Sequence, residues 1–333
     1  MRRLLHLWPA SAALLGLALV VWLIVDAGTE DVARSMLLVG WGLLPIALFH
    51  FVPLSLSALS WRDLLPRSRR LAVTSVIWLR WIRESINALL PAGGVGGDLV
   101  CVRLARLRGV PQTEAAASMI VDVTVGVVTQ LLFAAIGTLL LLARSTEPTT
   151  LKVGWLALGA IGLFSVGTAA FFLSQRSGML AVSTRLAGRL LGSERTSGAA
   201  ASASAIDDAV LRIYRDRIGF FRASLVRFAG WVAGTGEIWL VMHFLGRPIL
   251  VVEAFILESL GAAVRAAAFM VPGQLGILES SFVVFGAMFG LPANAALAIS
   301  FSRRVRELAL GVPGLLVWQW LETHQLLRQR RVG

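Results

Sequence analysis

Runs of about twenty apolar residues, separated by arginine-rich or Pro/Gly-rich stretches, recur along the whole of this chain. A hydrocarbon layer about 30 Å thick takes roughly 20 apolar residues to cross as a helix. Backbone polar groups in lipid must bond within their own segment, so such runs fold as helices. Composition agrees: 57% of the residues are hydrophobic and only 15% are charged, against about 25% charged in a soluble domain. The net charge of +12 rests on arginine, with Lys152 the only lysine. Because the arginines fall between apolar runs, they read as membrane topology rather than a nucleic-acid footprint, and no nucleic-acid partner is expected. The lone cysteine, Cys101, excludes an intramolecular disulfide and a cysteine metal cage. His6, His50, His243 and His324 are too far apart for a zinc motif. No metal or cofactor is therefore expected, and each histidine reads as an interfacial or internally satisfied residue.

The first run, about Trp8–Val25, follows Met1-Arg2-Arg3 and lacks a clean small-x-small cleavage site, so it is expected to be a retained span. Met36–Leu59 is the second, with Pro45 and Pro53 as kinks. Leu71–Leu90 is apolar yet carries Arg80, Arg83, Glu84 and Asn87, and it runs into Pro91-Ala92-Gly93-Gly94-Val95-Gly96-Gly97-Asp98. Pro and Gly break a helix there, and the arm that follows, Leu99–Leu107, is too short to cross. The pattern predicts a hairpin that enters and leaves on one side. Thr113–Ala143, Lys152–Leu173, Phe220–Met242 and about Ala293–Leu321 are four more spans. Before the last of them, Val251–Val271 leads into Pro272-Gly273-Gln274-Leu275-Gly276 and a short arm, Ile277–Phe289. Val251–Val271 is long enough either to form a second hairpin arm or to span. The polar segment 175–219 predicts one or two amphipathic surface helices on the cytoplasmic side. Trp8, Trp61 and Trp320 fit interfacial belts.

Landmarks recur 181 residues apart: Pro91 and Pro272, Asp98 and Glu279, Gly109-Val110-Pro111 and Gly290-Leu291-Pro292, Asp122 and Arg303. Several coincidences in one order indicate an internal repeat. Repeat 1 is about 8–143, and repeat 2 is about 152–321 with the 175–219 insertion, within a single transmembrane domain 1–333. Placing the N-terminus inside puts Arg62–Arg70, Arg103–Arg108, the insertion and the basic tail with Arg328, Arg330 and Arg331 on the inner face. That satisfies the positive-inside rule and makes the two repeats inverted. The expected fold is an all-α polytopic membrane protein of about six spans plus two re-entrant hairpins, both termini cytoplasmic, in a bacterial cytoplasmic (inner) membrane.

Ionised groups at membrane depth cost at least about 2.5–3.5 kcal/mol each, so they pair or face a water-filled cavity. Arg303, Arg304, Arg306 and Glu307 lie near the middle of the last span. The i,i+4 spacing pairs Arg303 with Glu307 and sets Arg306 on the same face, while Arg304 points elsewhere. Arg80, Glu84 and Asn87 share one face of the first hairpin with Arg83 beside them. Glu258 and Arg265, seven apart, share a face of the second. Asp122 lies about 14 Å into its span. One reading is a polar cavity whose arginines bind an anionic head group, the other a set of ion pairs that lock the halves together. At the tips, Asp98, Gln274 and Glu279 belong to the candidate substrate site, with N-terminal capping or dipole compensation as the structural alternative for the two acids. Gly93, Gly94, Gly96, Gly97, Gly273 and Gly276, with Pro91 and Pro272, read as turn residues. The glycines lack the Gly-Lys-Ser/Thr ending and the preceding strand of a phosphate loop.

Asn87–Asp98 followed by Arg103 resembles the first hallmark of the lysylphosphatidylglycerol-synthetase transmembrane, or flippase-like, family. Pro272–Glu279 resembles the second, and Gly311-Val312-Pro313-Gly314 fits its closing segment. Within the family, Val39-Gly40-Trp41-Gly42 and Trp81-Ile82-Arg83-Glu84-Ser85 are similar to the branch encoded with hopanoid-lipid biosynthesis. The resemblance covers nearly the whole chain and implies movement of lipids between leaflets. Two-domain synthetases of the family add a soluble aminoacyl transferase, for which these residues leave no room, so lipid aminoacylation is not carried over. The first hairpin's Pro-Ala-Gly-Gly is longer than the second's Pro-Gly, which shifts the tip register. The leading expectation is a flippase for an anionic phospholipid or hopanoid-type lipid, not an enzyme. Its partners would be membrane lipids and lipid-biosynthesis enzymes, and a homo-oligomer is compatible. The alternative is a membrane-embedded enzyme or accessory subunit acting on a lipid-linked substrate.

Overall fold

The computed structural model describes residues 21–90, 95–179, 197–268 and 274–332. Most of the first run, the tip residues Pro91, Gly93, Gly94, Pro272 and Gly273, and part of the insertion lie outside the described residues. Those described are helical, with no strand among them.

The second apolar run forms one nearly continuous rod made of α1 (Thr29–Val39), a 3-10 turn at Gly40–Gly42, α2 (Leu43–Phe49) and α3 (Phe51–Leu64). Its breaks have local causes. Pro45 and Pro53 have no N–H for the carbonyls four residues earlier, Trp41 and Phe49, and the rod adjusts at the 3-10 turn and at His50. The rod, α6 (Gln112–Arg144) and α7 (Pro148–Arg176) are each long and apolar enough to cross a membrane. α7 stands outermost, with none of its most apolar 18-residue window buried. The Glu147 carboxylate caps its N-terminus by accepting from the Thr150 N–H at 2.8 Å, which holds that carboxyl below its usual range. Large apolar side chains that face outward, such as Leu37, Trp41 and Leu156, meet lipid rather than water.

The first broken segment is α4 (Val73–Leu89) followed by α5 (Gly96–Leu107). At 12 residues, α5 is about 18 Å long, well short of a crossing. The two arms pack together, and Gly97 makes this possible. A Cβ there would overlap the Arg83 carbonyl and Asn87 side chain. With none, the Gly97 N–H donates to Asn87 Oδ1 at 2.8 Å. The second broken segment is α10 (Val251–Ala267) followed by α11 (Ile277–Ala287), which also pack on each other. α10 ends at Ala267, short of the sequence-predicted Val271. Between the broken segments lie α8 (Ser197–Arg215) and α9 (Arg217–Phe244), and α12 (Ala293–Val332) closes the chain. α8 buries Ala203, Ala209 and Val210 and packs on α6, so one face of the expected surface helix is an internal contact. α9 and α12, of 28 and 40 residues, are long enough to exceed a membrane's thickness.

The 181-residue offset reappears in the helix starts, Gly96 against Ile277 and Gln112 against Ala293. Packing is reciprocal across it: α4 lies on α12, α10 lies on α6, and α3 pairs with α9. Each broken segment's first arm thus rests on the long helix of the other half. Among the described residues, two apolar cores are the largest. One gathers Trp61, Leu79, Ile82 and Leu104, the other Ile238, Leu257, Phe282 and Ile299. Trp61 corrects the interfacial expectation, because it is fully buried and donates its indole N–H to Ser118 at 3.1 Å. An indole that finds an internal acceptor has no need of the interface.

Candidate functional site

A cavity of about 240 Å³ lies where α3, α4, α9, α10 and α12 meet, and five arginines and four glutamates line it. Each charge sits in the wall for a local reason.

On the first-half side, Arg80 of α4 donates to Asp122 of α6 at 2.7 Å. Asp122 is fully buried behind the wall, with Arg227 of α9 at 3.5 Å and Arg83 at 3.7 Å. Arg227 also bonds Ser57 of α3. Arg80 lies 3.6 Å from Glu84 one turn on. Arg83 bonds Asp98 across the hairpin, and Asp98 stands in the first turn of α5, where its charge also faces the positive end of the helix dipole.

On the second-half side, Glu258 of α10 holds Arg265 at 2.9 Å and also bonds Arg303 of α12. Arg303 lies over the Phe282 ring, 5.3 Å from its centroid. This overturns the predicted Arg303–Glu307 pair. Both residues sit on α12, but a buried carboxylate on the facing helix is nearer, and Glu307 instead takes Arg304 at 3.5 Å and Arg306 at 3.7 Å. Arg304 does point elsewhere, toward the second tip. Glu279 there accepts from the Gly276 N–H at 2.8 Å, bonds Ser300 at 3.2 Å and lies 3.3 Å from Arg304. Glu279 therefore caps its helix as well as pairing. Gly276 and Gln274 both have positive φ, 78° and 51°, which a tight turn demands. The Gln274 side chain bonds the Arg265 carbonyl at 3.3 Å.

The two sides meet at His50. Its Nδ1 is 2.6 Å from Glu237 of α9 and 2.7 Å from Arg306 of α12, and its Nε2 is 3.3 Å from Glu84. Arg306 also bonds Glu237. Among the residues singled out in the sequence, Arg80, Glu84, Glu258, Arg265, Arg303, Arg306 and Glu307 face the cavity. Arg83, Asn87, Asp98 and Asp122 stand behind it on the first-half side, while Gln274, Glu279 and Arg304 stand behind it on the second. The sequence reading missed His50, Ser57, Arg227, Trp231 and Glu237, all of which line it. A signal was present for two of them: Arg227 and Glu237 interrupt an apolar span, and ionisable residues there mark function by default.

Every lining glutamate is in an ion pair with an arginine. Even so, the Nε–H groups of Arg303 and Arg306 are buried with no hydrogen-bond partner among the described residues, while that of Arg80 lies 3.6 Å from Glu84. An unsatisfied buried donor costs about 1–3 kcal/mol.

Residues 10–314 match the profile of the family described as the lysylphosphatidylglycerol synthase TM region. The chain belongs to that family. No curated protein and no solved structure matches it. Membership in the lysylphosphatidylglycerol synthase TM family fits a membrane-lipid function, and the apolar helices fit a multi-pass membrane location.

Proposed function

We propose that this protein moves a lipid with an anionic head group, an anionic phospholipid or a hopanoid-type lipid, between membrane leaflets. The cavity carries the reading. It sits at the seam of two halves that pack reciprocally, and five arginines line it. A phosphate or similar head group supplies several acceptor oxygens in a geometry that guanidinium recognises. Inverted repeats with broken helices are a transporter device. With this architecture the halves would rock about the seam and expose the cavity to each leaflet in turn. The protein acts as a carrier rather than an enzyme, in a bacterial cytoplasmic membrane with both termini inside. Lipid-biosynthesis enzymes are its natural neighbours, and it works as a single chain or as a homo-oligomer.

The test is translocation in proteoliposomes, with fluorescent phosphatidylglycerol and phosphatidylcholine in one leaflet. Phosphatidylglycerol should cross faster than phosphatidylcholine, and Arg303→Ala/Arg306→Ala should abolish the difference. If neither lipid moves, with or without a proton gradient, the transporter reading fails, and lipid extracts would next be assayed for chemical conversion.

A further inference from the structure

His50 is held by partners of opposite kind. A carboxylate only accepts hydrogen bonds and a guanidinium only donates. Nε2 faces Glu84 at 3.3 Å, so it carries a hydrogen in either charge state of the ring. Nδ1 faces both Glu237 at 2.6 Å and Arg306 at 2.7 Å, and it cannot serve the two together. A bare Nδ1 accepts from Arg306. A protonated Nδ1 donates to Glu237 and repels Arg306. One proton on this nitrogen therefore decides whether Arg306 is tied to the ring.

The charges around the cavity give that proton a purpose. The five lining arginines are matched by the four lining glutamates together with Asp122, which is bound to Arg80 and Arg227 behind the wall. With His50 neutral the wall is balanced, and an anionic head group would leave it net negative at membrane depth, a costly state. With His50 protonated the wall carries one positive charge, and a monoanionic head group restores balance. The groups that face His50 do not supply this charge by themselves. Arg80 and Glu84 on α4, and Arg306 with Glu237 and Glu307 across α9 and α12, are already paired with one another.

We propose that the protein is a proton-coupled lipid carrier in which His50 takes up one proton with each anionic head group and releases it with that head group on the other side. This rests on the lipid-transport reading above. The proton enters at Nδ1, forming an N–H bond that donates to Glu237. Arg306 loses its hold on the ring and turns to the lipid. Deprotonation reverses both steps. Linkage makes the effect mutual: the anion tightens proton binding as much as the proton tightens anion binding.

The test uses the full chain in proteoliposomes with fluorescent phosphatidylglycerol and an imposed pH gradient. One-to-one coupling shifts the equilibrium ratio of the lipid between leaflets about tenfold per pH unit of gradient, toward the alkaline side. His50→Gln, whose wall cannot gain the positive charge, should move the lipid more slowly, and what crosses should distribute evenly whatever the gradient. If the wild type moves the lipid but leaves it evenly distributed, coupling is overturned while transport stands. If no lipid moves, the transport reading falls first. Imidazole nitrogen NMR of the histidine-labelled wild type in nanodiscs guards against a variant that fails to fold. Of the four histidines, the one whose signal is lost in His50→Gln should titrate at a higher pH in phosphatidylglycerol than in phosphatidylcholine, by more than the other three, which share any shift due to the anionic surface. A titration indifferent to the lipid overturns the proposal.

Discussion

Asp122→Asn tests whether the buried ion pairs lock the first half. The carboxylate is fully buried, with guanidinium groups of Arg80, Arg227 and Arg83 at 2.7, 3.5 and 3.7 Å. Asparagine keeps the shape and one acceptor oxygen but removes the charge. Removing one partner of a buried pair costs about 3–5 kcal/mol, since the other charge stays behind uncompensated. Here the lower end applies. Arg80 keeps Glu84 at 3.6 Å, Arg83 keeps Asp98 and Arg227 keeps Ser57. A loss of about 3 kcal/mol is therefore expected, read as a shift in the SDS unfolding midpoint in mixed micelles by tryptophan fluorescence. Removing charges of both signs is gentler on this view, so Asp122→Leu/Arg80→Met should recover at least half of the loss. A loss below about 1 kcal/mol for Asp122→Asn would refute the reasoning, because it would place the carboxylate in a wall that water or neighbouring groups compensate freely.

Two further outcomes follow from the second half. Glu258→Gln deprives Arg265 and Arg303 of their shared carboxylate. It should cost about 3–5 kcal/mol by the same assay and slow lipid movement, and unchanged stability would show that Arg303 has found Glu307 as a substitute. Gly137→Ala sets a Cβ 2.6 Å from that of Ser259 on α10, whose hydroxyl is pinned to the Ile256 carbonyl at 2.9 Å. Overpacking of this kind costs about 1–3 kcal/mol, and a neutral result would mean that α6 and α10 separate easily.

The helices and their breaks were legible because their causes are local. Gln112, Ile277 and Ala293 begin helices where the Pro/Gly runs end, the first hairpin's second arm begins at Gly96 rather than the expected Leu99, and an 11- or 12-residue arm cannot cross a membrane whatever it packs against. The charged positions Arg80, Asp122, Glu258 and Arg303 were equally visible, since each interrupts an apolar run. Their partners were not. The i,i+4 rule offered Arg303 a neighbour on its own helix, whereas packing supplied Glu258 from another. Distance along the chain also hid His50, whose contacts Glu84 and Glu237 lie 34 and 187 residues away. A single histidine in an apolar rod carries no periodic signal. Trp61 misled for the same reason, as its acceptor Ser118 comes from a helix far along the chain.

The reciprocal packing has a consequence for biosynthesis. The core of the first hairpin is completed by Leu315, Val317, Trp318 and Leu321 of the last helix. At about 5–20 residues per second, α4 leaves the ribosome roughly 10–45 seconds before those side chains exist. During that interval its charged face lacks both Arg306 and the apolar cover of α12. The newborn chain must therefore be sheltered, by the insertion machinery or by lipid, until its final segment arrives. Premature termination anywhere before the last helix leaves both halves unfinished at once, so quality control meets a single all-or-none product rather than a usable first half.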